Sequence, residues 1–302
     1  MIRTLFAALL LAPLAACATA STESPSAVAA TPSFASERIG VTVRGEGPDV
    51  VLIPGLSSSP TVWDSTIAAV PGYRYHVVHV SGFAGRAPGA NATGPVVAPV
   101  AEEIARYIRE ARLERPAIVG HSLGGTWAMM VAARHPELVS RAMVVDMFPS
   151  LGAMFGGPDA TPETLRTTAE RVRQGIATSA GEARRTQIER TIATMVRTEA
   201  LRPLAVTASL ESDPTVSGQA MHDLIVTDLR PELRNIRVPL TVLWVRAPGA
   251  PITEEQMAGF YAMSYANAPQ ARIVRVPNAY HFIMWDEPEA FQRELRTFLA
   301  AG

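Results

Sequence analysis

The chain has 302 residues, of which 48% are apolar and 18% charged, and its formal net charge is −1. All 27 basic residues are arginine. The lack of lysine excludes a Schiff-base enzyme and a P-loop nucleotide-binding site, since both need a lysine amine. The balanced charge gives no basic field for a nucleic acid, and the one cysteine excludes an intramolecular disulfide and a cysteine-rich zinc site. We therefore expect an ordinary apolar core and a small-molecule ligand.

The first segment, residues 1–16, is typical of an export signal peptide. Arg3 supplies a positive charge, and the apolar run over residues 5–14 is shorter than the about 20 residues that a transmembrane helix needs. The segment ends in Leu-Ala-Ala followed by Cys17, which resembles a bacterial lipobox. This resemblance implies that cleavage leaves Cys17 as the new N-terminus and that lipid chains such as palmitate are attached to it.

The next segment, residues 17–36, is rich in Ala, Ser, Thr and Pro and is expected to form a disordered tether. Acylation of Cys17 would hold the protein at a membrane, at about 0.8 kcal/mol per buried methylene, and the folded part would contact the membrane through this anchor only. A secretory signal cut elsewhere between Ala16 and Ala20 would instead release the protein into the periplasm. In both cases we expect a protein of the cell envelope that faces the periplasm.

From Arg38 onward, short apolar runs alternate with helical patterns, which predicts an α/β fold with a mainly parallel sheet and helices on both faces. Helical spacing is found in residues 101–113, 123–134 and 287–300. The predicted core comprises residues 37–147 and 236–302. Seven strands are predicted, over residues 39–44, 50–53, 75–80, 117–119, 141–145, 240–245 and 272–276.

One long segment, residues 148–235, has no convincing strand. It contains Arg/Glu-rich helical patterns with apolar stripes, for example Ile188, Ile192, Met195 and Val196 at positions i, i+4, i+7 and i+8. A helical insertion before the last two strands predicts a cap over the strand ends, where open α/β sheets bind their ligands. Helices that only cover a sheet face would give the same pattern, so both arrangements stay open.

The strongest motif is the segment Gly120-His121-Ser122-Leu123-Gly124, a G-x-S-x-G sequence between a predicted strand and a predicted helix. In this context the sharp turn presents the hydroxyl of Ser122 at the helix N-terminus. A serine hydroxyl needs a base that removes its proton. His281 follows the last predicted strand, so it is expected at the same sheet edge. The other five histidines are interpreted as structural: His76, His79, His121, His135 and His222.

Three motifs together resemble the α/β-hydrolase superfamily, in its capped, esterase-like branch, over residues 37–302. They are the turn around Ser122, the segment Leu52-Ile53-Pro54-Gly55-Leu56 with Trp63 beyond it, and the ending His281-Phe282-Ile283-Met284-Trp285-Asp286-Glu287-Pro288. The resemblance implies a serine hydrolase without cofactor or metal, with an oxyanion hole formed by the amides of Leu56 and Leu123. Pro54 replaces the histidine common in the family, but the donor is a backbone N–H, so the substitution need not abolish the hole.

The acid of the catalytic triad is indicated less directly. Many relatives carry it after the next-to-last strand, but residues 245–253 contain no carboxylate, and Glu254 and Glu255 are expected to begin a helix. Other relatives carry the acid after the strand that follows the helix of the nucleophile. This chain has Asp146 at that position. We therefore favour Asp146, although relatives often have a structural aspartate there. Asp286 is interpreted as the N-cap of the last helix.

The sequence thus predicts a carboxylesterase-like hydrolase that cleaves a small, partly hydrophobic ester. Carbon–carbon bond hydrolysis, amide cleavage and perhydrolysis on the same triad stay open, as does a non-catalytic ligand-binding lipoprotein of the envelope. Dehalogenases and epoxide hydrolases are disfavoured, because those relatives carry aspartate at the position of Ser122. Five apolar residues near the predicted cleft are expected to bind the substrate: Met147, Phe148, Met154, Phe155 and Met284.

Overall fold

A computed structural model describes residues 34–157, 159–246, 249 and 252–300, and the predicted signal peptide and Cys17 lie outside these residues. The described chain begins three residues before the predicted start of the core. Phe34 already packs edge-on against Tyr107, with ring centroids 4.9 Å apart, and under the guanidinium of Arg106. No helix in the described part of the chain is both long and apolar enough to cross a membrane.

A seven-stranded sheet forms the centre of the fold, in the order β1-β3-β2-β4-β5-β6-β7. β1 runs antiparallel to β3, and all other neighbours are parallel. The predicted α/β class and all seven strands are confirmed, with ends that differ by at most two residues. The strands are β1 (Ile39–Arg44), β2 (Asp49–Ile53), β3 (Arg74–Val80), β4 (Ala117–His121), β5 (Arg141–Val145), β6 (Leu240–Trp244) and β7 (Arg272–Arg275).

Helices cover both faces of the sheet. Alternate residues of β2 point to opposite faces, so Val51 and Ile53 belong to one apolar cluster and Val50 and Leu52 to the other. The helices of the described residues are α1 (Asp64–Ala69), α2 (Val97–Glu110), α3 (Leu123–Arg134), α4 (Ala153–Gly156), α5 (Pro162–Ala177), α6 (Gly181–Met195), α7 (Arg202–Glu211), α8 (Pro214–Val226), α9 (Glu254–Ser264), α10 (Ile283–Asp286) and α11 (Pro288–Ala300).

Helices α4 to α8 lie between β5 and β6, in the segment predicted as a helical insertion. This insertion is hydrogen-bonded to loops that follow the carboxyl ends of two strands. The Ser57 hydroxyl, after β2, lies 2.8 Å from the Ser217 hydroxyl of α8, and Asp213 N donates to Gly82 O, after β3, at 2.8 Å. The insertion is therefore held at the sheet edge that also carries the predicted site.

Candidate active site

The turn between β4 and α3 holds Ser122 in an unusual backbone conformation, with φ 54° and ψ −125°. A positive φ is costly for a residue with a side chain, and residues under such strain are enriched at active sites. Two hydrogen bonds fix this geometry: Ser122 N donates to Val145 O at 2.9 Å, and Gly125 N donates to Ser122 O at 2.7 Å. The strand, turn and helix expected around Ser122 are all present.

Glycines allow three chain segments to meet at this turn. A Cβ on Gly120 would overlap the carbonyl oxygen of Gly124, and a Cβ on Gly124 would overlap that of Ile53. The start of α3 therefore packs directly against the loop after β2. In that loop, a Cβ on Gly55 would lie only 3.0 Å from the Cβ of Ser122.

The two amides predicted for the oxyanion hole belong to this junction. Leu56 follows Gly55 in the loop after β2, and Leu123 is the first residue of α3. Neither N–H group donates a hydrogen bond to another described residue. Backbone N–H groups in this state can donate to a negatively charged oxygen that forms during a reaction.

His281 and Asp146 are in direct contact. His281 Nδ1 lies 2.6 Å from Asp146 Oδ2. Asp146 directly follows β5 with φ 52°, and His281 lies in the loop between β7 and α10. Of the two later carboxylates, Glu254 pairs with Arg275 at 2.7 Å. Asp146 is thus the carboxylate that meets the imidazole.

The other oxygen of Asp146 is held by two donors. Val245 N donates to Asp146 Oδ1 at 3.2 Å, and the Tyr261 hydroxyl of α9 donates to the same oxygen at 3.0 Å. Burial and the nearby charge of Asp146 keep the pKa of Tyr261 well above its ordinary value, so this donor stays protonated. Sequence reasoning missed Tyr261, which lies 115 residues from its partner and belongs to no motif.

His121 connects the serine turn to the loop of His281. Its side chain is fully buried, and its Nε2 lies 3.0 Å from His281 O. Burial and the neighbouring His281 lower the pKa of His121 well below its ordinary value, so the ring is neutral. Because a carbonyl only accepts, the ring proton is on Nε2, and Nδ1 has no partner among the described residues.

Ser122 and His281 are thereby brought to one sheet edge, since His121 precedes Ser122 in the chain and its ring centroid lies 4.6 Å from that of His281. The Ser122 hydroxyl itself makes no hydrogen bond to a described residue. A link between Ser122 Oγ and His281 Nε2 therefore stays a prediction.

The five predicted substrate-binding residues fall into two groups. Met147, Phe148 and Met284 are buried, with 4%, 7% and 1% of their surface exposed, and they pack in the two apolar clusters. Met154 and Phe155 lie on α4 with 59% and 51% exposed. The contacts of the first three are those of core residues, and a role in substrate binding stays a prediction for all five.

The interpretation of Asp286 as the N-cap of the last helix is wrong. Its side chain is 4% exposed, and its carboxylate accepts hydrogen bonds from three backbone amides outside α11: Arg197 N at 3.0 Å, Thr198 N at 2.9 Å and Tyr280 N at 2.9 Å. Two of these donors lie 88 and 89 residues away in the chain. The local sequence before Pro288 therefore could not reveal them.

One cavity among the described residues lies far from the predicted site. A cavity of about 520 Å³ opens at the amino ends of the strands, lined among others by Asp49, Ala117 and Arg141. It contains none of the predicted site residues and lies at the edge opposite Ser122. Among the described residues, no group of three or more His, Cys, Asp or Glu side chains could hold a metal ion.

Comparison with known proteins agrees with this geometry. The sequence profile of a family described as the alpha/beta hydrolase family matches residues 50–294. The chain belongs to this family. The resemblance inferred from the three motifs and the predicted enzyme class, a carboxylesterase-like hydrolase, are both confirmed at this level.

Individual relatives are more distant. The chain is 26% identical over 254 residues to a pimeloyl-(acyl-carrier protein) methyl ester esterase of Pectobacterium carotovorum, covering 84% of this chain and 94% of that one. An esterase structure from Exiguobacterium antarcticum superposes with a TM-score of 0.71 at 21% identity, covering 87% and 96% of the two chains. An enol-lactonase structure from Burkholderia xenovorans gives 0.68 at 16% identity, covering 86% and 96%. The two structures show the fold.

Proposed function

We propose that this alpha/beta hydrolase cleaves small, partly hydrophobic carboxylic esters through Ser122 as nucleophile, His281 as base and Asp146 as the acid that orients the imidazole. The observation that carries the proposal is the 2.6 Å hydrogen bond between His281 Nδ1 and Asp146 Oδ2. It fixes the ring so that Nε2 is the atom left to take a proton. The positive φ of Ser122 supports the same assignment.

The reaction proceeds in two acyl-transfer steps. Ser122 Oγ attacks the ester carbonyl carbon while its proton moves to His281 Nε2, and the tetrahedral oxyanion accepts hydrogen bonds from Leu56 N–H and Leu123 N–H. The ester C–O bond then breaks, and the alcohol leaves with the proton from His281. Water repeats the sequence on the acyl-enzyme and releases the acid. Asp146 stays unprotonated and stabilises the imidazolium.

An uncharged substrate is supported by the surroundings of the triad. Among the described residues, the groups that contact His281 and Asp146 are neutral rings, a hydroxyl and backbone amides. These contacts include no arginine, which favours an uncharged ester over an anionic one. Relatives whose names include esterase, such as the one from Pectobacterium carotovorum, support ester cleavage.

We further propose that the protein is a lipoprotein of the cell envelope, anchored through Cys17. The support is the sequence before this cysteine, Leu-Ala-Ala after an apolar run. An anchor at residue 17 would leave the tether between the membrane and the folded part, so ester substrates reach the enzyme from the periplasm.

The decisive experiment combines a fluorophosphonate probe with Ser122→Ala. We expect the wild-type protein to be labelled and to hydrolyse p-nitrophenyl butyrate, and the variant to lose both properties while its melting temperature stays within about 2 °C of wild type. Folded wild-type protein without labelling would support the non-catalytic alternative. Activity on amides or β-diketones with inactive esters would move the assignment to amide or carbon–carbon bond cleavage.

A further inference from the structure

The carboxylate of Asp286 joins two distant parts of the chain. Oδ2 accepts from Tyr280 N at 2.9 Å and from Arg197 N at 3.0 Å, and Oδ1 accepts from Thr198 N at 2.9 Å. Tyr280 directly precedes His281. Arg197 and Thr198 lie between α6 and α7, within the helical insertion.

Three further hydrogen bonds connect the same two segments. Phe282 N donates to Met195 O at 3.2 Å. The Arg197 guanidinium donates to Asp286 O at 2.8 Å and to Glu287 Oε1 at 2.9 Å. Residues 195–198 of the insertion and residues 280–287 around the base therefore form one hydrogen-bonded unit.

We propose that Asp286 is a positioning residue, which holds the His281 loop in its reactive place by fastening it to the insertion. This inference rests on the proposed function. It adds that the position of His281, the base, depends on how the helical insertion packs against the His281 loop. His281 is then held from three directions: by Asp146 at its ring, by His121 at its carbonyl, and by Asp286 at the preceding amide.

The chemistry of the contact requires a carboxylate. Three N–H donors converge on two oxygens, and ionised acceptors form stronger hydrogen bonds to amides than neutral ones do. An asparagine has one oxygen and would turn an NH₂ group toward at least one of these donors, so it keeps at best the bonds to Arg197 and Tyr280 and loses that to Thr198. An alanine removes all three and leaves three amides without this partner.

Removal of the Asp286 carboxylate should misalign His281 relative to Ser122, with little effect on substrate binding. A displacement of about 1 Å in a catalytic group can reduce the rate about 100-fold. For p-nitrophenyl butyrate we expect Asp286→Ala to lower kcat about 10- to 100-fold, with KM changed less than about threefold. We also expect the far-downfield proton NMR signal of His281 Nδ1–H to weaken or disappear.

The matched control is Asp223 in α8, a second carboxylate that joins the insertion to the core through backbone amides. It accepts from Val96 N at 2.6 Å and Val97 N at 3.2 Å, and it has no contact with the His281 loop. Asp223→Ala should lower the melting temperature to a similar extent, with kcat within about threefold of wild type and the proton signal kept.

A second variant keeps the test valid if Asp286→Ala does not fold. The Arg197 side chain is 43% exposed, so its truncation is tolerated better than that of a buried residue, and Arg197→Ala removes the guanidinium hydrogen bonds to Asp286 O and Glu287 Oε1 from the insertion side alone. Arg197→Ala and Asp286→Asn each weaken the connection between the two segments in part, and both variants should lower kcat by a smaller factor of about three to ten.

The outcomes separate this inference from the proposed function. If Asp286→Ala, Asp286→Asn and Arg197→Ala all keep kcat within threefold of Asp223→Ala and retain the proton signal, Asp286 is only a structural contact and the proposal is overturned. If Ser122→Ala remains active, the proposed function itself fails, whatever the Asp286 variants do.

Discussion

At the scale of single residues, Asp146 shows how one side chain is divided between two tasks. Oδ2 meets His281, while Oδ1 accepts from Val245 N and from the Tyr261 hydroxyl. The second oxygen therefore fixes the carboxylate plane, and the first can orient the imidazole. The left-handed backbone of Asp146, φ 52°, turns the chain directly after β5 and is tolerated because aspartate adopts this region more readily than most residues.

This division leads to a prediction for Asp146→Asn. The amide oxygen can still accept from Val245 N and Tyr261, but the NH₂ group then donates to His281 Nδ1. The ring proton is thereby placed on Nε2, the wrong tautomer, as in a serine protease triad, where the loss is on the order of 10⁴ in kcat. We expect a kcat loss of several orders of magnitude with KM nearly unchanged, measured with p-nitrophenyl esters. A loss of less than tenfold would mean that another group orients His281.

The residues of the site differ in how far sequence could reveal them. Ser122 and His281 are tied to motifs of fixed local spacing, and Asp146 was inferred because the alternative loop has no carboxylate. Asp286 and Tyr261 act through partners far away in the chain. No local pattern contains that information, so one was assigned a wrong local role and the other was not identified.

At the scale of secondary-structure elements, the close approach of α3 to the loop after β2 depends on small residues. A Cβ on Gly124 would lie 2.7 Å from Pro54 O and closer still to Ile53 O, both backbone atoms that cannot move aside cheaply. The proposed oxyanion hole uses an amide from each of these two elements, so their spacing sets the distance between the donors.

We therefore predict that Gly124→Ala separates the two elements. The variant should lose stability by more than about 2 kcal/mol and kcat by at least about tenfold, measured by urea unfolding and ester hydrolysis. Gly259→Ala in α9 is the matched control, because no atom lies within 4 Å of its added Cβ. It should stabilise the protein by about 0.5–1 kcal/mol. Equal effects of the two variants would contradict the argument.

Elements were predicted best where burial imposes a simple pattern. Central strands of a parallel sheet are buried on both faces and form continuous apolar runs, as in β4 and β6. The start of α2 was predicted four residues late, at 101 instead of Val97. Pro99 lies in its first turn, where backbone amides have no helical partner, so a proline is accommodated there. α10, a helix of four residues, is too short for a periodic pattern.

At the scale of the whole molecule, burial of histidines couples stability to pH. His76 is 3% exposed, and burial lowers its pKa in spite of hydrogen bonding to Asp49. Burial also lowers the pKa of His79 and His121. Each folded-state pKa lies below the ordinary value of 6.5. Below pH 6.5 the unfolded chain therefore binds protons that the folded chain does not.

Stability should consequently fall as the pH falls from about 6.5 toward the folded-state pKa values, and these groups should add no slope above about pH 7.5. At pH 5.5 the loss is at most about 1.4 kcal/mol per histidine. Carboxylates titrate near pH 4 and lie outside this window. Urea unfolding at pH 7.5 and 5.5 measures the difference.

A variant that removes one of the titrating groups provides the control. His79 Nε2 lies 2.8 Å from Phe83 O, and a glutamine at this position can donate a similar hydrogen bond without titrating. His79→Gln should therefore reduce the stability difference between pH 7.5 and 5.5. An unchanged or larger difference would show that His79 does not contribute to it.

The envelope location is also tested on the whole protein. Cells grown with an alkyne analogue of palmitate should incorporate it into the wild-type chain, which should be found in the membrane fraction. Cys17→Ser should be unlabelled and released from that fraction. A variant that stays in the membrane fraction would make the lipobox interpretation wrong.

The hydrogen-bonded unit of residues 195–198 and 280–287 has a consequence for engineering. A chimaera can be designed by grafting the helical insertion of another hydrolase onto this sheet. In this protein such a graft, cut at residues 148 and 235, would strip the Asp286 carboxylate of two of its three donors. A transplant that also carries segment 280–287 from the same donor hydrolase should keep turnover, whereas one that omits it should yield a folded but slow enzyme.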